Sequence, residues 1–154
     1  MEEVNIYIDA THTGHLKKGT GTYSIVLEYI KPDGTPRTKE YIQGLKHTTK
    51  NRTALQACID ALSHLIKICS VIIFINSAYI TQALNEKWIE SWNSSGWITK
   101  GKPVKNKDLW QQLLLIMDKH DIKCTFIEIN PYTSYMRTMA KKIEINYKED
   151  EQNV

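Results

Sequence analysis

The sequence predicts an α/β domain: a mixed five-stranded sheet, three strands antiparallel and then two parallel, with helices on both faces. Three observations carry that reading. Period-two alternation broken by turn residues runs to about residue 43, the period turns helical from Asn51, and a short apolar run follows it. The 154 residues suit one compact domain with enough interior to need no covalent staples.

The elements follow in order. Val4-Asn-Ile-Tyr-Ile-Asp-Ala10 alternates apolar and polar residues and reads as a strand. Thr11 to Gly21, with three glycines, reads as a loop or hairpin turn, and Tyr23 to Ile30 as the second strand. Pro32-Asp-Gly-Thr35 is a turn, because proline presets φ and glycine supplies a positive one. Arg37 to Gln43 completes an antiparallel meander. Leu55, Ile59, Leu62, Leu65 and Ile66 then mark one face of a helix. Val71-Ile-Ile-Phe-Ile75 reads as a strand buried on both faces, placed parallel by the helical crossover before it. Helical patterns cover about 78–86, 87–94 and 106–119, and Lys123 to Ile129 is the fifth strand, closed by Pro131. A last helix starts near Ser134 and runs into an acidic end.

Charge divides the chain into a domain at 1–143 and an acidic tail at 144–154. The net charge is +3, but four acids and one lysine lie in the tail, leaving the body at +6. A moderately basic body is compatible with a polyanionic partner. The three cysteines are odd in number and form no CxxC pair, which argues against a disulfide framework and a zinc knuckle. The longest strongly apolar run has five residues, so no membrane partner is expected and a cytoplasmic location is. The five histidines show no metal-ligand spacing on a helix face, although His12 and His15 flank Gly14 just after Asp9.

The element order, with Ile8-Asp9, Thr48-Thr-Lys-Asn-Arg52, Ile75-Asn-Ser77, Trp88-Ile-Glu-Ser-Trp92, Gly96-Trp97, Lys102-Pro-Val-Lys-Asn-Lys-Asp-Leu-Trp-Gln111 and His120-Asp-Ile-Lys123, resembles type 1 ribonuclease H over about residues 4–142. The resemblance implies a ribonuclease H-like fold and an enzyme that cuts the RNA strand of RNA–DNA hybrids with two metal ions. Such chemistry needs several converging carboxylates, because two divalent cations about 3.5–4 Å apart repel. The family places carboxylates at four positions. Here these positions match Asp9, Ala54, Asn76 and Arg137, so only Asp9 keeps its acid.

A degenerate, catalytically inactive domain is therefore expected, a pseudoenzyme that binds an RNA–DNA hybrid or related duplex weakly, or scaffolds a protein partner, without a cofactor. Two other readings stay open. One is an active Mg²⁺- or Mn²⁺-dependent endonuclease with a rearranged or single-metal site, for which Asp9, Asn76 and Glu128 are the candidate ligands. The other is a purely structural homodimer. Asp60 cannot stand in for Ala54, lying about 240° further around the helix. The resemblance also implies nucleic-acid contacts at Thr49, Asn51 and Asn106, with Lys50 where a second asparagine usually stands. Trp88, Trp92 and Lys105, in a run of aromatics interleaved with lysines, are further candidates. Arg137 is expected to reach Asp9 and take the place of the metals.

Overall fold

In a computed structural model, the structure describes residues 1–13 and 19–152, the side chains from 145 onward excepted. Three long strands open the chain: β1 (Glu2–Thr13), β2 (Gly19–Ile30) and β3 (Pro36–Thr48). Helix α1 (Lys50–Ser63) leads to β4 (Cys69–Ile75), and α2 (Ala78–Asn85) and α3 (Trp88–Ser94) follow. A two-residue hairpin, β5 (Ile98–Thr99) and β6 (Lys102–Pro103), precedes α4 (Lys107–Met117). The chain ends in β7 (Asp121–Phe126) and α5 (Thr133–Gln152).

The main sheet has the order β3-β2-β1-β4-β7, antiparallel across β3, β2 and β1 and parallel across β1, β4 and β7. This is the mixed sheet expected. Alternation along the central strand sorts its two faces. Val4, Ile6, Ile8 and Ala10 enter the main core, which also takes Leu55, Cys58 and Leu62 of α1 and Leu109, Trp110 and Leu113 of α4. Tyr7 points to the opposite face and packs with Val26 and with Met136 of α5. Asp9 has the parity of Tyr7, so its side chain emerges on the α5 side.

Two expectations need correcting, and one element was not expected. The apolar run of β4 is not buried on both faces: Val71, Ile73 and Ile75 are buried, Phe74 is half-buried and Ile72 is exposed. The last strand lies two to three residues earlier than its apolar pattern suggests. Its length is set by its partner, since Ile75 at the end of β4 pairs with Phe126, which leaves Glu128 beyond the strand. The hairpin of β5 and β6 was unforeseen, because two residues are too few for a period.

Helix α1 begins against the β1–β2 hairpin. A Cβ on Gly21 would lie 2.1 Å from Thr53 Oγ1 and 2.9 Å from Thr48 Cγ2, so the absent side chain is what lets the helix start settle onto β2. Thr49 caps that start by accepting a hydrogen bond from the Arg52 amide at 3.2 Å.

Candidate functional site

Parallel register places Ile8 beside Ile75, so the residues that follow them, Asp9 and Asn76, emerge together at the C-terminal ends of β1 and β4. Crevices at such strand ends are the usual ligand sites of α/β sheets. Asp9 is 2% exposed. Its Oδ1 receives Asn76 Nδ2 at 3.2 Å and Arg137 Nη2 at 3.4 Å, and the same guanidinium nitrogen donates to the Glu128 carbonyl oxygen at 3.3 Å. Asp9 Oδ2 is buried and has no hydrogen-bond partner among the described residues. Burial pushes the Asp9 carboxyl above its ordinary range, with the charge and hydrogen bond of Arg137 pulling the other way.

Arg137 reaches Asp9 because α5 crosses the face onto which Asp9 points, with Met136 seated on Tyr7 and Val26. Asn76 acts as a clamp between strands. Its Oδ1 accepts from the Ala10 amide at 2.9 Å and its Nδ2 donates to the Ala10 carbonyl at 3.0 Å. That pair fixes the amide's orientation and turns nitrogen, not oxygen, toward Asp9. Ala54 is 1% exposed in the main core and carries no polar atom to the site. Asp60 is engaged elsewhere, accepting from Tyr23 at 2.7 Å and lying 2.9 Å from His64 Nε2.

Beside Asp9, a cavity of about 270 Å³ is lined by Thr11, His12, Lys50, Asn76, Glu128 and Arg137, together with Ala10. Thr49, Lys50 and Asn51 gather at the start of α1, and Asn106 precedes α4 with a left-handed φ of 61°. Arg52 joins the two helix starts: it donates to Asn106 Oδ1 at 3.3 Å and holds Asp108 through paired bonds of 2.9 and 2.8 Å. Trp88 and Trp92 pack against the core, and the ring of Trp92 lies 5.9 Å from Trp88, 6.3 Å from Trp97 and 5.4 Å from Trp110. Lys105 is exposed before α4. His15 lies outside the described residues.

Sequence reasoning missed two participants. Arg52 was read only as part of a motif, although its place three residues after the Thr49 cap keeps it at that end of α1. Glu144 was assigned to the tail, yet its Oε1 accepts from Thr11 Oγ1 at 3.2 Å, beside the site. The available signal was its spacing: seven residues after Arg137, two turns along the same face of α5.

The ions that the resemblance implies, Mg²⁺ or Mn²⁺, each need several anionic oxygens. The donors here do not fit a pair of such ions. Among the described residues no three His, Cys, Asp or Glu side chains converge to hold a metal. Asp9 Oδ1 is shared by two nitrogen donors, so the unpartnered Oδ2 and the exposed Glu128 carboxylate are donors enough for one ion at most.

A family profile described as RNase H matches residues 1–129. Ribonuclease H of Lachnoclostridium phytofermentans is 39% identical over 127 residues, covering 82% of this chain and 80% of the relative. Ribonuclease H of Escherichia coli is 37% identical over 129 residues, covering 83% and 78%. Among solved structures, LC9-RNase H1, a type 1 RNase H with the type 2 active-site motif, superimposes with a TM-score of 0.78 at 23% identity, covering 92% of this chain and 71% of that one. LC11-RNase H1 in complex with an RNA/DNA hybrid gives 0.57 at 19% identity, covering 81% and 85%. The curated relatives overturn the expectation of an inactive domain, since they carry the name Ribonuclease H at 37–39% identity over more than four fifths of the chain. By profile and by relatives alike, the chain belongs to the ribonuclease H family.

Proposed function

We propose that this chain is a ribonuclease that cuts the RNA strand of RNA–DNA hybrids through a rearranged site centred on Asp9. The observation that carries the reading is the 39% identity to a curated ribonuclease H over 82% of the chain, and the buried carboxylate of Asp9 near the C-terminal end of β1 supports it. The three buried, unpaired thiols agree with action in a reducing cytoplasm.

The substrate side of the site consists of short polar groups at two helix starts. The Thr49 hydroxyl spends its acceptor on the Arg52 amide, which leaves its proton for a phosphate oxygen. Asn51 stands one residue into α1 and offers an amide to ribose 2′-hydroxyls, the groups that distinguish RNA from DNA. Lys50 and Lys105 are exposed and add charge for the backbone. A single divalent cation at this site would be held by Asp9 and Glu128, and Mg²⁺ or Mn²⁺ there would supply Lewis-acid activation of an oxygen. Asn76 holds β1 and β4 in register beneath, keeping the Asp9 carboxylate in place.

The test is a labelled RNA–DNA hybrid incubated with the protein in EDTA, then with Mg²⁺ or Mn²⁺, beside an Asp9→Asn variant. Metal-dependent cutting of the RNA strand that vanishes in the variant is the expected result. A wild-type protein that leaves the hybrid intact with either ion overturns the reading.

A further inference from the structure

A second cavity, of about 780 Å³, lies at the opposite end of the sheet from Asp9. It exists because α1 is too short for the strands it covers. Thr53 meets β2 at Gly21. From there α1 has ten residues left, about 15 Å, whereas β2 has nine, about 30 Å. The last row of the sheet, in which Val4 pairs with Tyr29 and Tyr29 with Arg37, therefore extends past the helix. Leu65 and Ile66 cross the gap as irregular chain on the way to β4. His64 is a fixed part of the wall, stacked on the Tyr41 ring at 3.8 Å and 2.9 Å from Asp60.

Alternation along the strands decides which charges face in. Leu27 is fully buried in the main core and Tyr29 has its parity, and their partners on β3 are Lys39 and Arg37. Both cations thus stand on the α1 side, with Lys39 Nζ 5.9 Å from the centre of the Tyr29 ring. Lys31, in the β2–β3 turn, and Lys67, after α1, complete the basic lining. Glu2 has the parity of Val4 and faces in. Glu3, at the cavity's edge, has the parity of Tyr7, so its carboxylate points to the α5 side. One inward carboxylate is set against four basic residues, and the side chains of Lys31, Arg37 and Lys67 make no ion pair or hydrogen bond among the described residues. Between the charges lies apolar surface: the half-buried Tyr29 ring, half-buried Leu65, and Ile66 at 95% exposure.

We propose that this end of the sheet binds a small organic anion, a carboxylate or phosphate monoester carried on an apolar body. Arg37 and Lys39 hold the anionic group, and Tyr29, Leu65 and Ile66 cover the body. The volume lies within the range of about 300–1,000 Å³ that takes a drug-sized molecule, and the mixture of apolar wall with a few charges of one sign is the usual make-up of such a site. The Arg37 guanidinium offers a planar fork to two oxygens of either headgroup, and Lys39 adds a point charge. The site shares no residue with the crevice at Asp9, so it stands or falls apart from the ribonuclease reading.

The probe is anilinonaphthalene sulfonate, an aromatic anion, titrated into the full chain by fluorescence beside phenylnaphthylamine, the same ring system without the charge. The anion should bind about tenfold more tightly than the neutral compound. Arg37→Gln and Lys39→Gln, each checked for folding by circular dichroism, should weaken the anion about two- to fivefold and leave the neutral compound unchanged. Ile66→Asp, which adds an acid at an exposed position, should weaken both. Lys123→Gln, on the other face of the sheet, should match wild type. Decanoate and decyl phosphate should displace the probe and decanol should not, and the better competitor of the two anions names the headgroup. Amide chemical shifts should move within residues 29–39 and 64–69. Equal affinity for the charged and neutral probes, displacement by decanol as readily as by the anions, full binding by both charge variants, or shifts confined to the Asp9 crevice overturns the site.

Discussion

Arg137 Nη2 lies 3.4 Å from Asp9 Oδ1, joining a half-exposed cation to a carboxylate that is 2% exposed. The asymmetry decides the energetics. Screening at the arginine limits what the pair contributes, whereas the carboxylate bears the whole cost of burial. Burial therefore outweighs the guanidinium and the Asp9 carboxyl rises. A carboxyl raised on folding binds protons more readily in the native state, so its contribution to stability falls as pH climbs from the unfolded value through the raised one. Asp9→Asn should be more stable than wild type at pH 7, and the gap should close toward pH 4. Arg137→Ala should lose about 1–2 kcal/mol at pH 7, discounted for screening, and much less at pH 4. Urea denaturation at the two pH values reads both, and an Asn variant less stable than wild type at pH 7 refutes the account.

The same two residues show what the sequence could and could not disclose. The change from period two to period 3.6 at Asn51 revealed the crossover, and the family motifs placed Asp9 and Arg137 near one another. The direction of an amide was beyond sequence. Asn76 as a residue type offers both oxygen and nitrogen, and only the flanking bonds to Ala10 show that nitrogen faces Asp9. Glu144 was hidden for another reason. Charge counting made a tail of residues 144–154, but α5 runs unbroken to Gln152, and the helical repeat carries Glu144 to Thr11. Composition records amounts, and the site depends on faces.

Arg52 and Asp108 form an exposed ion pair through two hydrogen bonds of 2.9 and 2.8 Å, joining the starts of α1 and α4. The hydrogen bonds from Arg52 hold the Asp108 carboxyl below its usual range. A depressed carboxyl gives stability that is present above the unfolded value and is lost as pH falls through the folded one. With side chains 33% and 58% exposed, the coupling should be modest. A double-mutant cycle with Arg52→Ala and Asp108→Ala should give about 0.5–1 kcal/mol at pH 7 and close to nothing near pH 2. Coupling that persists at the acid end would contradict the assignment.

The three thiols are held apart from solvent by burial. Cys58 is fully buried with its thiol raised well above the ordinary value, Cys124 is pushed up to about 11, and Cys69 is also raised, in each case chiefly by desolvation. Thiolate is the reactive form, so native protein at pH 8 should react slowly with a disulfide reagent. All three thiols should titrate quickly in denaturing urea. A fast stoichiometric thiol in the folded protein would show that one of these sites opens.

Trp92 and Trp88 were both candidates for contact with nucleic acid, and their surroundings separate them. Trp92 has three tryptophan rings within about 6.3 Å, one of them the fully buried Trp110, whose Nε1 donates to the Tyr79 hydroxyl at 2.9 Å. Trp88 has Trp92 alone as a ring neighbour among the described residues. Removing the hub leaves a void against Trp110 and Trp97. Trp92→Ala should therefore cost about 3 kcal/mol of stability, whatever it does to binding. Trp88→Ala should cost less stability than Trp92→Ala, because its ring also packs against the core but meets a single tryptophan ring among the described residues, and should weaken hybrid binding several-fold through its exposed part. Thermal unfolding and hybrid titration of the two variants decide it: equal losses of stability would mean that Trp88 belongs to the packing as fully as Trp92, and unchanged hybrid binding by Trp88→Ala would refute its stacking role.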